Sequence, residues 1–186
     1  MTDANPGVLT GKVAIVTGGS RGIGRAIARG LAQEGCRVAV ASRTESEANV
    51  EARFLKYGSG TIHATTDSIT AAGGDAFAVK CDVTIAEDIR NLVDAVVERY
   101  GRVDVVVSDA GIDCESPVPD LDLDLLDRCL ATNVRAPLLL CKFVLPVMMA
   151  QGSGGSIFAV TSGAARGYRP GRVGYSMSKA LSLIHI

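Results

Sequence analysis

The sequence of 186 residues predicts an α/β protein with a doubly wound parallel sheet. Short apolar runs at 13–16 and 103–107 are almost uninterrupted by polar residues, which is typical of strands buried on both faces. Segments with apolar residues at helical spacing lie between such runs, as in Ile89, Leu92 and Val96. Strands that alternate with helices predict right-handed crossovers and a parallel sheet.

The first half of the chain supplies three strands. The strand at 13–16 leads into a helix with Ile23, Ile27 and Leu31 at helical spacing, and Gly35 ends that helix. Residues 1–11 form a polar leader that we expect to be flexible, and 42–60 is a charged, aperiodic stretch that predicts a long loop or a loosely helical excursion. The remaining elements predicted here are a strand at 38–41, a helix at 61–72 and a strand at 76–79.

The second half continues the alternation. A capping box of Thr84 and Glu87 predicts the start of a helix that closes at Gly101. A long helix at 123–149 is predicted to kink or restart near Pro137 and Pro146, which cannot donate backbone hydrogen bonds. The other predicted elements are strands at 103–107 and 157–160 and a last helix from 174.

Composition excludes several classes of function. Lys plus Arg number 19 and Asp plus Glu 20, so the chain lacks the basic surplus of a nucleic-acid-binding protein. Five scattered cysteines predict reduced thiols in a cytoplasmic protein, and two histidines disfavour a metal site. The N-terminus resembles no signal peptide, and 137–150 is too short and too interrupted by Lys142 and Pro146 to span a bilayer.

A glycine-rich turn, VAIVTGGSRGIG at 13–24, joins the first strand to the first helix. Glycine is needed where the chain turns tightly, where backbone approaches a ligand and where a helix packs closely on a strand. Gly18, Gly22 and Gly24 therefore predict a pyrophosphate site at the helix N-terminus. The alternative is an ordinary connection between strand and helix.

The end of the second strand indicates the choice of cofactor. A dinucleotide fold usually presents Asp or Glu there to the ribose hydroxyls, whereas this chain has Ser42 and Arg43. A hydroxyl followed by a guanidinium can bind a 2′-phosphate, and Arg21 could add a second positive contact. These residues favour NADP(H) over NAD(H), although all could be ordinary surface residues.

Tyr175 and Lys179 stand four residues apart on the last predicted helix, so their side chains share one face. A nearby ammonium favours phenolate and so lowers the pKa of a tyrosine. Tyr175 could then exchange a proton with an alcohol or carbonyl oxygen. Ser162, just after the fifth strand, is expected at the carboxyl end of the sheet, where ligands of this fold bind.

Taken together, these motifs resemble the classical short-chain dehydrogenase/reductase family. The matches come in the family's order and spacing, over nearly the whole chain up to Ala180. They are TGGSRGIG at 17–24, Asp82 with Val83, Asn133, Ser162, and YSMSK at 175–179.

The resemblance implies a three-layer Rossmann-like fold with strand order 3-2-1-4-5. It implies that Ser162 orients a carbonyl, Tyr175 is the acid/base and Lys179 binds the nicotinamide ribose while tuning the tyrosine, with Asn133 supporting a water-mediated proton path. It further implies a small carbonyl or alcohol substrate, and a homodimer or homotetramer without nucleic-acid or membrane partners. The implied cofactor-binding residues are Gly18, Ser20, Arg21, Gly22, Ile23, Gly24, Ser42, Arg43, Asp82, Val83, Asp109, Ala110, Gly111, Tyr175 and Lys179.

One position departs from the family pattern. Asparagines usually precede Ala-Gly after the fourth strand, and this chain has Ser108 and Asp109 before Ala110 and Gly111. A carboxylate beside the cofactor could weaken its binding or alter the hydrogen bonds of the sheet. The alternative is a tolerated variant that makes the same turn.

The last six residues, LSLIHI at 181–186, are also one translation of CTG TCT CTT ATA CAC ATC, which resembles a sequencing-library adapter. The family continues through further strands and a substrate-covering loop. We therefore expect an incomplete dinucleotide-binding and catalytic domain at 12–180, from a gene fragment that is inactive as given.

Two functions remain open at this point. One is a carbonyl-reducing or alcohol-oxidising enzyme, and the other is a dinucleotide-binding regulator or scaffold without turnover. The substrate is open as well. The arginine-rich stretch with Arg166, Tyr168, Arg169 and Arg172 could favour an anionic substrate or could be a solvated loop.

Overall fold

Parallel strands form the centre of the molecule, and the computed structural model describes residues 7–46, 48, 60–167 and 170–184. Within these residues the sheet has five strands in the order β3-β2-β1-β4-β5. The predicted order is thus confirmed, as is the α/β class. The strands are β1 (Val13–Thr17), β2 (Arg37–Ser42), β3 (Ala76–Lys80), β4 (Val105–Ser108) and β5 (Ser156–Ala159).

Helices connect these strands. The described helices are α1 (Gly22–Gln33), α2 (Ile62–Ala71), α3 (Ala86–Tyr100), α4 (Leu123–Leu130), α5 (Ala136–Ala150) and α6 (Val173–Ile184), with short 3₁₀ turns at Val118–Asp120 and Gly163–Ala165.

The core has two layers, one on each face of the sheet. Alternate residues of β1 point to opposite faces, so Val13 and Ile15 pack with α3 and α5, while Ala14 and Val16 pack with α1 and α2. All four are fully buried. Helices on both faces explain why β1 is apolar at consecutive positions.

The buried stripe of α1 differs from the predicted one. Gly24, Ala28 and Ala32 face the sheet, whereas Ile23 is 61% exposed. A Cβ atom on Gly24 would lie 2.6 Å from the carbonyl oxygen of Gly18, so the helix approaches the strand too closely for larger residues. The close approach places the small residues directly against the sheet, while Ile27 and Leu31 are partly buried at the edge of the core and Ile23 is turned outward.

The predicted capping box of α3 is wrong. Thr84 donates from both its amide and its hydroxyl to Asp82 Oδ1, at 2.9 and 2.7 Å, instead of capping the helix. Glu87 lies 3.4 Å from Arg90 Nε. An Asx-type turn at Asp82 competes for the threonine, and Asp88 accepts a hydrogen bond from the Asp82 amide.

The long helix is interrupted by a π-helical turn at Ala131–Arg135 that separates α4 from α5. Pro137 follows in the first turn of α5, which agrees with a restart there, and Pro146 lies inside α5. The whole segment Leu123–Ala150 is long and apolar enough to cross a membrane by length and composition alone. Leu140, Val144 and Met148 of this segment are buried against the sheet, and 28% of its most apolar 18-residue stretch is buried.

Part of the predicted leader contacts the fold. The amide of Leu9 donates to the Glu34 carbonyl at 2.9 Å, and Leu9 packs against the core beside α1. Residues 1–6 lie outside the described residues, as do 47, 49–59, Tyr168 and Arg169.

A buried carboxylate joins the starts of β1 and β4. Asp104 is 5% exposed and accepts hydrogen bonds from the Val13 amide at 3.0 Å, from Arg102 at 2.6 and 2.7 Å and from Lys12 at 3.2 Å. Burial alone would raise the pKa of Asp104, but these donors hold it below its usual range.

Candidate active site

A cavity of about 230 Å³ opens at the carboxyl ends of β1 to β4. This is the edge at which open parallel sheets bind ligands. Most of the predicted cofactor-binding residues meet in its wall. The wall is formed by Gly18, Ser20, Arg21, Gly22, Ile23, Ser42, Arg43, Thr44, Cys81, Asp82, Val83, Asp109, Ala110, Gly111, Ile112 and Thr132.

The glycine turn after β1 leaves no room for side chains at two of its positions. A Cβ atom on Gly18 would lie 2.7 Å from the Ala110 amide nitrogen, and Gly18 has a φ of +72° that favours glycine. Gly24 lies directly behind the cavity wall, against Gly18. The turn is therefore a backbone surface, which is the kind of cradle that a pyrophosphate needs.

Positive charge reaches the cavity from Arg21 and Arg43. The Arg43 guanidinium is 64% exposed and lies 3.9 Å from Asp82 Oδ2. Beside it, the Ser42 hydroxyl accepts a hydrogen bond from the Thr44 amide at 3.1 Å. The hydroxyl proton of Ser42 and most of the Arg43 guanidinium are thus available to an incoming phosphate.

Asp109 brings a carboxylate to the same wall. The Gly24 amide donates a hydrogen bond to this carboxylate, and the positive charge of Lys179 interacts with it electrostatically. Burial raises the pKa of Asp109, while the Gly24 amide and Lys179 act in the opposite direction.

Lys179 is the buried cation of the site. Its ammonium donates to the Val160 carbonyl at 2.9 Å and lies 5.8 Å from the centroid of the Tyr175 ring. Burial lowers the pKa of Lys179, and Asp109 opposes this shift. Arg172 lies over the same ring at 5.6 Å and is also ion-paired with Asp113.

Asn133 lies in the π-helical turn and ties three elements together. Its amide nitrogen donates to the Ile112 carbonyl and to Ser178 Oγ, both at 3.0 Å, and its Oδ1 accepts from the Ile112 amide at 3.0 Å. Ser178 Oγ in turn donates to the Tyr175 carbonyl at 2.7 Å. Asn133 thus links the cavity wall at Ile112 to the helix that carries Tyr175 and Lys179.

Ser162, Tyr175 and Lys179 lie outside the cavity wall itself. Lys179 approaches it through Gly111, since a Cβ atom there would be 3.6 Å from the ammonium nitrogen. Ser162 precedes a 3₁₀ turn, and its hydroxyl accepts from the Ala164 amide at 3.2 Å. The predicted residues therefore fall into two sets. One lines the cavity, and the other consists of Tyr175 and Lys179 on α6 and Ser162 in the segment before that helix.

Sequence reasoning missed four residues of the cavity wall: Thr44, Cys81, Ile112 and Thr132. Thr44, Cys81 and Ile112 each adjoin a predicted cofactor-binding residue after a strand, so the position of each strand end could have indicated them. Thr132 precedes Asn133 in the π-helical turn, which has no signature in the sequence. Burial raises the pKa of the Cys81 thiol to about 12, so it stays protonated.

The residues present fit a nicotinamide dinucleotide. The turn provides a cradle that a Cβ atom would fill, two arginines provide positive charge, and the cavity ends beside Lys179. Within the described residues, no cluster of metal-ligating side chains is found.

Comparison with known proteins agrees with this geometry. A family model described as short chain dehydrogenase matches residues 12–182. A short chain dehydrogenase of Pseudocercospora fijiensis is 36% identical over 176 residues, which cover 94% of this chain and 52% of that protein. The chain thus spans about half the length of this curated relative.

Solved structures show the same fold. A putative short-chain dehydrogenase/reductase from Burkholderia xenovorans is 35% identical with a TM-score of 0.82, and the match covers 95% of this chain and 64% of the other. A metagenomic short-chain oxidoreductase in complex with NADP is 33% identical with a TM-score of 0.79, covering 95% and 73%.

Proposed function

This chain belongs to the short-chain dehydrogenase family, and we propose that the complete protein is an NADP-dependent oxidoreductase that interconverts a carbonyl and a secondary alcohol. The observation that carries the proposal is the cavity whose wall unites the glycine turn, Arg43, Asp82 and Gly111, with Lys179 beside it. This is an arrangement for a dinucleotide whose reactive end approaches α6.

The choice of NADP rests on the end of β2. Ser42 and Arg43 take the place of the acid that would repel a 2′-phosphate, and both are in the cavity wall. A solved relative that binds NADP supports the proposal. Arg43 must turn from Asp82 toward the phosphate, and the long contact of 3.9 Å between them makes that change inexpensive.

When bound, a nicotinamide cofactor supplies or accepts the hydride. The protein's part is to orient the substrate oxygen and to move a proton. We assign Ser162 to a hydrogen bond with that oxygen and Tyr175 to proton exchange with it. We assign the Lys179 ammonium, 5.8 Å from the centroid of the Tyr175 ring, to binding the nicotinamide ribose.

Asn133 acts in this scheme as a positioning residue for the proposed proton path. Both polar atoms of its side chain are engaged by Ile112 and Ser178, so it holds the cavity wall and α6 in a fixed relation. Catalytic groups need such support, because small displacements are costly.

The proposed setting is a cytoplasmic homodimer or homotetramer that acts on a small molecule. Its supports are the free cysteines, which favour a reducing compartment, and the exposed apolar side chains of β5 and α5, among them Phe158 and Met149, which favour association. We also propose that 12–180 is the dinucleotide-binding and catalytic part and that 181–186 is adapter-derived, although 181–184 extend α6 as helix.

The experiment is to compare NADPH oxidation by the complete wild-type protein and by Tyr175→Phe, over a panel of aldehydes and ketones. Wild type should turn over, and the variant should lose nearly all turnover but keep NADPH binding, since only the transferable proton is removed. Cys141→Ser, on α5 and outside the cavity wall, is the control. Normal turnover by Tyr175→Phe would contradict the acid/base assignment, and NADPH binding without turnover by wild type would favour a regulator or scaffold.

A further inference from the structure

The cavity that would hold the cofactor's phosphates carries a carboxylate of its own. Asp109 lies in the wall together with Gly18, and the Gly24 amide at the start of α1 donates to its carboxylate. A Cβ atom on Gly24 would lie 2.7 Å from Asp109 Oδ2, so the carboxylate presses directly on the turn. A dinucleotide bound there would place its doubly charged pyrophosphate near this acid.

Two negative groups at such short range repel each other unless one of them binds a proton. The other charged or titratable groups around the cavity do not remove this conflict. Lys179 lowers the pKa of Asp109 but burial outweighs it, Arg43 lies on the far side of its 3.9 Å contact with Asp82, and the Cys81 thiol is neutral. The full set of charged or titratable groups around the cavity, besides Asp109, is Arg21 after β1, Arg43 after β2, Cys81 and Asp82 after β3, and Lys179 on α6.

Building on the proposed function, we propose that Asp109 binds a proton when the dinucleotide enters, so that cofactor affinity depends on pH. The residue then acts as a cofactor-binding residue in its neutral form and as an electrostatic obstacle in its ionised form. An asparagine at this position would have no such dependence, because its amide is neutral at every pH of interest.

The direction of the effect follows from linkage. Burial already raises the pKa of Asp109 in the free protein, and the negative charge of the dinucleotide raises it further. Between the two pKa values the complex holds one proton more than the free protein. Affinity must therefore fall as pH rises, by up to about tenfold per pH unit within that window.

The test uses the complete protein and titration calorimetry with NADH between pH 5 and 8. NADH is the probe because it lacks the 2′-phosphate, whose own titration near pH 6 would add a trend of opposite sign. Repeating each titration in buffers of different ionisation enthalpy gives the number of protons taken up. Wild type should take up a fraction of a proton, whereas Asp109→Asn should take up none and should bind several-fold more tightly at pH 8.

Asp94→Asn removes one exposed carboxylate from α3 and is the matched control, expected to behave as wild type. A second measurement needs no cofactor: Asp109→Asn should raise the melting temperature more at pH 8 than at pH 5, because the wild-type carboxylate is charged at the higher pH.

The outcomes separate the two proposals. Binding with equal proton uptake in wild type and Asp109→Asn overturns the role of Asp109 and leaves the oxidoreductase standing. No binding of NADH or NADPH by wild type at any pH overturns the proposed function, and the role of Asp109 with it.

Discussion

At the scale of single residues, Arg43 is the side chain on which the cofactor preference depends. It is exposed and only loosely paired with Asp82, so its replacement should leave the fold intact. A charge-assisted contact with phosphate contributes roughly 1.5–3 kcal/mol. We therefore expect Arg43→Ala to weaken NADPH binding by about tenfold or more, with little change for NADH.

Fluorescence titration with both cofactors checks this prediction. Arg25→Ala, one turn into α1 and outside the cavity wall, is the matched control. Equal affinities of wild type for NADPH and NADH would contradict the assignment.

Asp104 is a carboxylate whose protonation in acid we expect to lower the stability of the fold. Asp104→Asn leaves the donors of Arg102, Lys12 and Val13 poorly matched and should cost about 1–3 kcal/mol of unfolding free energy at pH 7. Because the folded-state pKa is lowered, this contribution is complete above the unfolded pKa of about 3.9 and is lost as pH falls through the folded value.

Urea unfolding at pH 7 and at pH 3 measures the effect. The difference between wild type and variant should shrink at pH 3, whereas Asp94→Asn should show little difference at either pH. A gap that stays constant with pH would mean that the carboxylate charge is not the cause.

At the scale of elements, the sequence predicted the sheet well because buried strands and glycine stops have local signatures. Gly35 and Gly101 end helices with a positive φ, as predicted, and the strand ends are correct to within two residues. The stripe predicted for α1 holds at Ile27 and Leu31 but is wrong at Ile23, because the depth at which Ala28 packs depends on how close the helix lies to the sheet. Likewise, nothing local in 131–135 indicates a π-helical turn.

The close contact of α1 with β1 gives a prediction with a control on the same helix. Gly24→Ala would place a Cβ atom 2.6 Å from the Gly18 carbonyl oxygen, so the turn must shift. We expect a loss of about 1–3 kcal/mol and no measurable dinucleotide binding. Gly30→Ala meets nothing within 4 Å and should instead stabilise the helix by up to about 1 kcal/mol.

Thermal unfolding and NADPH titration of both variants test this. Gly24→Ala that binds like wild type would show that the turn is not the phosphate cradle.

At the scale of the whole molecule, an apolar groove of about 210 Å³ runs along β5 and α5, with Pro137, Leu138, Ile157 and Phe158 in its wall. Phe158 is 56% exposed, and β5 forms an edge of the sheet within the described residues. Exposed apolar surface on a sheet edge favours association. We therefore expect the chain of 186 residues to self-associate.

Light scattering measures the association. Phe158→Lys should reduce it strongly, whereas Val118→Lys, at a residue 60% exposed on a 3₁₀ turn and outside the groove wall, should not. A chain that stays monodisperse at high concentration would contradict this expectation.

The uneven burial of the cysteines makes it possible to label the groove and to follow association there. Cys36, Cys81, Cys114 and Cys129 are buried, and Cys141 is half-buried in the wall of the groove. A maleimide dye should therefore react first at Cys141, without any engineered site. Its emission would then report, in real time, when something covers the groove of the native protein.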